Sequence, residues 1–205
     1  MGLHKPDRGT AKTAPLRGWL LPLIILLLGM ILVVGGETAR EAFRFDRSGI
    51  QSAELWRLIS GHLVHLGAAH FALNAAGLGL VWYLVGRAFD WQRWLIVTAV
   101  CMLTMDLGLW FLNPGLSWYV GLSGLLHGIL AAGLVERLRR PTLETVILAL
   151  LVLGKLGWEQ FSGPLPGSEG TAGGPVVVDA HLYGALGGAL AAIGLQIRTR
   201  AAAAI

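Results

Sequence analysis

Long stretches without a formal charge, separated by short clusters of Lys, Arg, Asp and Glu, dominate this chain and restrict what it can fold into. Gly18 to Gly36 holds no charged residue and is long enough to cross about 30 Å of hydrocarbon as a helix. Hydrophobic residues make up 55% of the 205 positions and charged ones only 14%, against about 25% charged in an ordinary soluble domain. The sequence therefore predicts an all-α, polytopic membrane protein. A single cysteine, Cys101, excludes an intramolecular disulfide. The formal charge of +4 sits at the ends of apolar runs, with no basic stripe carrying interleaved aromatics, so nucleic acid is not a predicted partner and the lipid bilayer is.

With the charges read as punctuation, six spans are predicted: Gly18–Gly36, Leu58–Gly86, about Trp94–Leu112, Val120 to the cluster beginning at Glu136, Leu143–Trp158 and Val178–Ile197. A cleaved signal peptide competes for the first run, but no small-x-small site precedes Glu37. Glu37 to Arg57 mixes eight charges with Phe43, Phe45, Ile50, Leu55 and Trp56, which suits an ordered amphipathic segment at the interface. Asn113-Pro114-Gly115 makes a turn, and Ser162 to Pro175 is a Gly/Pro-rich loop. This divides the chain into a tail over 1–17, a six-helix domain over 18–198 and a tail over 199–205. Eleven Lys and Arg fall on one side (Lys5, Arg8, Lys12, Arg17, Arg87, Arg93, Arg137, Arg139, Arg140, Arg198, Arg200) and five on the other (Arg40, Arg44, Arg47, Arg57, Lys155). Both tails are therefore expected in the cytoplasm, and His70, Ser123 and His181 all fall in the outer half of the bilayer.

Polar groups at one depth on three spans are rare unless they serve a path or a site. Ser123, in Gly121-Leu122-Ser123-Gly124, opens the fourth span, where unpaired backbone N–H groups would stabilise an oxyanion. An imidazole is the usual base for a serine hydroxyl, and His181 starts the sixth span. Gly124 and Gly128 on one, Gly184 and Gly188 on the other, permit close helix approach. His70 and Asn74 share one face of the second span and offer further hydrogen-bond donors. The set suits acyl transfer. A packing serine bonded to its own helix is the structural alternative. His62, His65 and His70 could ligate a metal or line a metal transporter; without carboxylates beside them neither reading is favoured, and no metal or other cofactor is expected. Asp106 is expected to partner a neighbouring polar group or orient a site residue, and Lys155 and Glu159 to pair at a helix end.

Trp56-Arg57, His65-x4-His70-x3-Asn74, Gly121-x-Ser123-Gly124 and Ala180-His181-x2-Gly184-x3-Gly188 together resemble the rhomboid family of intramembrane serine proteases over nearly the whole chain. The tracts Trp118–Gly128, Lys155–Gln160 and Asp179–Gly184 look most like its rhombosortase branch. The resemblance implies a six-helix rhomboid-like bundle in a bacterial inner membrane, with the active site toward the periplasm. It also implies Ser123 as nucleophile, His181 as base, and His70, Asn74 and the Ser123 amide as oxyanion donors, with no third acidic member. Rhomboids often place an aromatic residue four positions after the serine, where this chain has His127, so His127 is an alternative base or a ring stacked on His181. The implied partner is the transmembrane or C-terminal tail segment of a substrate, such as an exported protein's C-terminal Gly-Gly sorting tail. A catalytically inactive rhomboid-like binding module is the alternative function.

Overall fold

The computed structural model describes residues 18–203, so the expected tail over 1–17 lies outside the described residues. Helix α1 (Leu20–Val34) and the amphipathic α2 (Gly36–Phe43) meet at a bend of 119°, at Gly35 and Gly36. A chain that leaves a spanning direction at such an angle runs crosswise, as an interfacial segment must. Strand β1 (Phe45–Asp46), α3 (Arg47–Gln51) and α4 (Arg57–Ser60) follow, then α5 (Ala68–Val85), α6 (Trp91–Phe111), β2 (Trp118–Tyr119), α7 (Ser123–Arg137), α8 (Leu143–Ser162), α9 (Ser168–Ala172) and α10 (Val178–Ala203).

Four helices, α5, α6, α8 and α10, are long and apolar enough to cross a membrane. The bent pair α1–α2 passes the same test only when taken as one unit, and α7 is 15 residues long. At 1.5 Å per residue, α7 reaches about 22 Å, short of the roughly 30 Å of hydrocarbon. Its lipid-facing neighbours carry the bundle's apolar exterior: Leu103, Leu107 and Phe111 on α6, Leu150, Leu151 and Leu153 on α8, and Leu186 and Leu190 on α10 all point outward.

The expected second span from Leu58 does not form as one helix. α4 ends at Ser60, residues 61–67 turn, and α5 begins only at Ala68. Gly61, whose N–H donates to the Arg57 carbonyl, packs against Phe45, and His62 and His65 are buried in the turn. The lack of charge over these residues thus reflects burial inside protein, where a non-helical backbone is tolerated, and not contact with lipid. At the other end, α10 runs through Ala203, so residues 199–203 of the expected tail continue the helix, and 204–205 lie outside the described residues.

The segment from 37 to 57 is held by cations on backbone carbonyls. Arg57 donates to the carbonyls of Glu41 (2.8 Å) and Arg44 (3.0 Å) and to the Glu54 carboxylate (2.5 Å). Arg47 donates to the carbonyls of Leu109, Trp110, Asn113 and Leu116, closing the C-terminus of α6 where four carbonyls lack helical partners. Beneath this cap, Phe45, Met105, Leu109, Tyr119 and Ala180 form a small cluster, and β1 pairs antiparallel with β2. The main core, with Leu78, Trp82, Trp94, Val97, Leu125, Ile129 and Ala192, packs α5, α6 and α10 around α7.

Candidate active site

The turn into α7 sets the position of Ser123. Gly121 has φ +142°, a backbone state that L side chains rarely adopt. Its N–H donates to the Gly61 carbonyl (3.2 Å) and its own carbonyl accepts from the Tyr119 hydroxyl (2.7 Å). Leu122 precedes the helix without a side-chain cap, so the first N–H groups of α7 have no side-chain acceptor. Ser123 stands as the first helical residue.

α7 crosses α10 at glycines. A Cβ on Gly124 would lie 2.7 Å from the Ala180 carbonyl oxygen, and one on Gly128 2.7 Å from that of Gly184. Gly184 and Gly188 in turn lie against the carbonyls of Gly124 and Gly128. Backbones this close bring side chains at the two helix starts together, and Ser123 Oγ lies 2.9 Å from His181 Nε2. His181 is 5% exposed.

His70 and Asn74 lie one helical turn apart on α5. His70 Nδ1 accepts from the Leu66 N–H at 3.3 Å, which leaves the proton on Nε2. That nitrogen faces the Gly121 turn, 3.7 Å from where a Cβ on Gly121 would sit. The Asn74 amide nitrogen is buried and has no hydrogen-bond partner. An orphaned buried donor costs about 1–3 kcal/mol unless an acceptor reaches it.

His127 does not contact the serine hydroxyl. Its Nδ1 donates to the Ser123 backbone carbonyl (2.7 Å), while its ring stacks on His181 with centroids 4.3 Å apart and planes at 22°. His62 and His65 also stand apart from the serine. His62 Nε2 bonds Asp106 Oδ1 at 3.1 Å, which gives Asp106 a polar partner, and His65 packs edge-on against His70 and Phe71.

Sequence reasoning missed the reach of α8. Lys155 Nζ does donate to Glu159 Oε2 at 2.7 Å, the i,i+4 pair. The same carboxylate oxygen also lies 2.9 Å from His181 Nδ1, and Lys155 Nζ lies 2.7 Å from His127 Nε2. A charged pair inside an apolar run was the available signal. Among the described residues, His127, Glu159 and His181 are the three whose ligand atoms cluster at metal-like spacing, within 4.8 Å of one another. His62, His65 and His70 do not form such a group. The Lys155 ammonium lies among those three ligand atoms, supplying a cation from the chain itself.

The chain is similar to several known proteins. The chain is 28% identical to the rhomboid protease GluP of Bacillus subtilis over 86% of its own length and 34% of that protein's. It thus spans about a third of the Bacillus relative. It is also 28% identical to the uncharacterized proteins Mb1372 of Mycobacterium bovis and Rv1337 of Mycobacterium tuberculosis, covering 98% of this chain and 86% of each. The family model for the rhomboid domain matches residues 52–198, which contain every residue of the site described above, and so the chain belongs to the rhomboid family.

Proposed function

We propose that the protein is an intramembrane serine endopeptidase in which Ser123 is the nucleophile and His181 the general base. The 2.9 Å contact between Ser123 Oγ and His181 Nε2 carries this reading. Ser123 Oγ gives its proton to His181 Nε2 as it attacks the scissile carbonyl carbon. The carbonyl electron pair moves onto oxygen, and the oxyanion accepts from the Ser123 N–H, His70 Nε2–H and the Asn74 amide. Collapse of that intermediate breaks the C–N bond, and the departing amine takes the proton from His181. Water then gives a proton to the same nitrogen and attacks the acyl-Ser123 ester; the acyl C–Oγ bond breaks, the acid product leaves, and Ser123 Oγ takes the proton back from His181.

The substrate is a membrane-anchored protein cut in or near its transmembrane segment. By resemblance to the rhombosortase branch, it is an exported protein with a C-terminal Gly-Gly motif, a membrane segment and a basic end. On the expected arrangement of six spans with both termini in the cytoplasm, the site lies toward the periplasmic face of a bacterial inner membrane. Co-expression with such a tail tests both levels. Cleavage by the wild type and none by Ser123→Ala is expected. Cleavage of a generic transmembrane substrate with the Gly-Gly tail left intact would remove the branch assignment, and tail cleavage by Ser123→Ala would remove the serine mechanism.

A further inference from the structure

Resting on that serine-protease reading, we propose that Glu159 is a positioning residue that completes a Ser123–His181–Glu159 triad, with Lys155 as its fixed counter-ion. The base role assigns the protons. With His181 Nε2 accepting from the Ser123 hydroxyl, Nδ1 carries the ring proton and donates it to Glu159 Oε2, while Lys155 Nζ lies 3.2 Å from the same nitrogen. Lys155 donates to the same oxygen and to His127 Nε2. His127 must then hold its proton on Nδ1, where it donates to the carbonyl of Ser123. The bonds form a ring that leaves Ser123 through its hydroxyl and returns to it through its carbonyl.

A plain i,i+4 ion pair at a helix end does not account for this placement. Glu159 is 3% exposed, while its neighbours Trp158 and Phe161 face outward, Phe161 at 92%. Burying a carboxylate costs several kcal/mol unless its bonds are satisfied, and here the two donors on Oε2 are an ammonium and the imidazole of the proposed base. The carboxylate fixes the tautomer that leaves Nε2 free to accept from Ser123, and it opposes the positive charge His181 acquires as the serine attacks. The Lys155 ammonium balances Glu159 in the resting state and holds the stacked His127 ring.

The test is the pH profile of kcat/KM for cleavage by the full chain in proteoliposomes. The charged and titratable groups facing His181 are Glu159 and Lys155 on α8, His127 on α7 and His70 on α5. Glu159→Gln removes the group that favours the imidazolium, so the acid limb moves to lower pH by about one unit. Its kcat falls by about 10²- to 10⁴-fold with little change in KM. Lys155→Met removes the opposing cation, and its acid limb moves to higher pH. The double variant leaves no buried charge unpaired, yet keeps the low kcat of Glu159→Gln. Recovery of wild-type kcat in the double variant, or unmoved acid limbs in both single variants beside an inactive Ser123→Ala, overturns the triad and leaves the protease reading standing. Cleavage by Ser123→Ala overturns the reading beneath it.

Discussion

Replacing His127 by Phe separates the two imidazoles near Ser123. The His127 ring stacks on His181 at 4.3 Å and makes two polar contacts, Nδ1 to the Ser123 carbonyl and Nε2 to Lys155. Phe keeps the stacked ring, worth about 0.5–1.5 kcal/mol beyond its burial. The bond to the Ser123 carbonyl is partly redundant, because that oxygen is also a helical acceptor in the first turn of α7. The loss is then chiefly the bond from the Lys155 ammonium, about 1.5–3 kcal/mol. If all of it appears in the transition state, kcat/KM falls about 10- to 150-fold. His181→Ala instead removes the proton acceptor and should match Ser123→Ala, with a loss of about four to six orders of magnitude and no further loss in the double variant. Steady-state cleavage of a transmembrane substrate in proteoliposomes reads both. A His127→Phe variant as inactive as His181→Ala would refute the assignment and move the base to His127.

Other variants probe what holds the site in place. Gly188→Leu pushes a side chain into the backbone of Gly128 and should separate α7 from α10, lowering the unfolding temperature in detergent and abolishing cleavage together; an active, stable Gly188→Leu would contradict the close crossing. Arg57→Ala strips donors from two carbonyls and from Glu54, costing on the order of 3 kcal/mol, and a thermal melt that does not move would count against that role. His70→Ala removes one oxyanion donor while the backbone N–H remains, so kcat falls about 10²- to 10³-fold, less than for Ser123→Ala. An equal loss would assign His70 a different part in the reaction.

Much of the bundle is legible in one dimension because charges must avoid hydrocarbon, and that rule locates α6, α8 and α10 to within a few residues. It fails between Leu58 and Ala68, where the same absence of charge comes from burial under Phe45 and the loop preceding α7. Ser123 and His181 are visible because each opens a span, and the glycine rows at spacing four announce the crossing between them. Glu159 was not visible as their neighbour. Its contact with His181 depends on how α8 is rotated about its axis, and the exposed face of α8 carries more apolar residues than the inward one, so amphipathic periodicity does not point to the bundle. His127 shows the same limit: its spacing from Ser123 allows contact with the hydroxyl, and only the rotamer, bonded to the Ser123 carbonyl, decides otherwise.

Covalent labelling reads most directly whether Ser123 is a nucleophile activated by His181. A fluorophosphonate probe, which forms a stable bond only with an activated serine, should label the purified protein at Ser123, located by mass spectrometry of the modified peptide. Labelling should persist in His127→Phe and vanish in His181→Ala. An unlabelled wild type in folded, membrane-embedded form, or a His181→Ala variant labelled as fast as wild type, would contradict it.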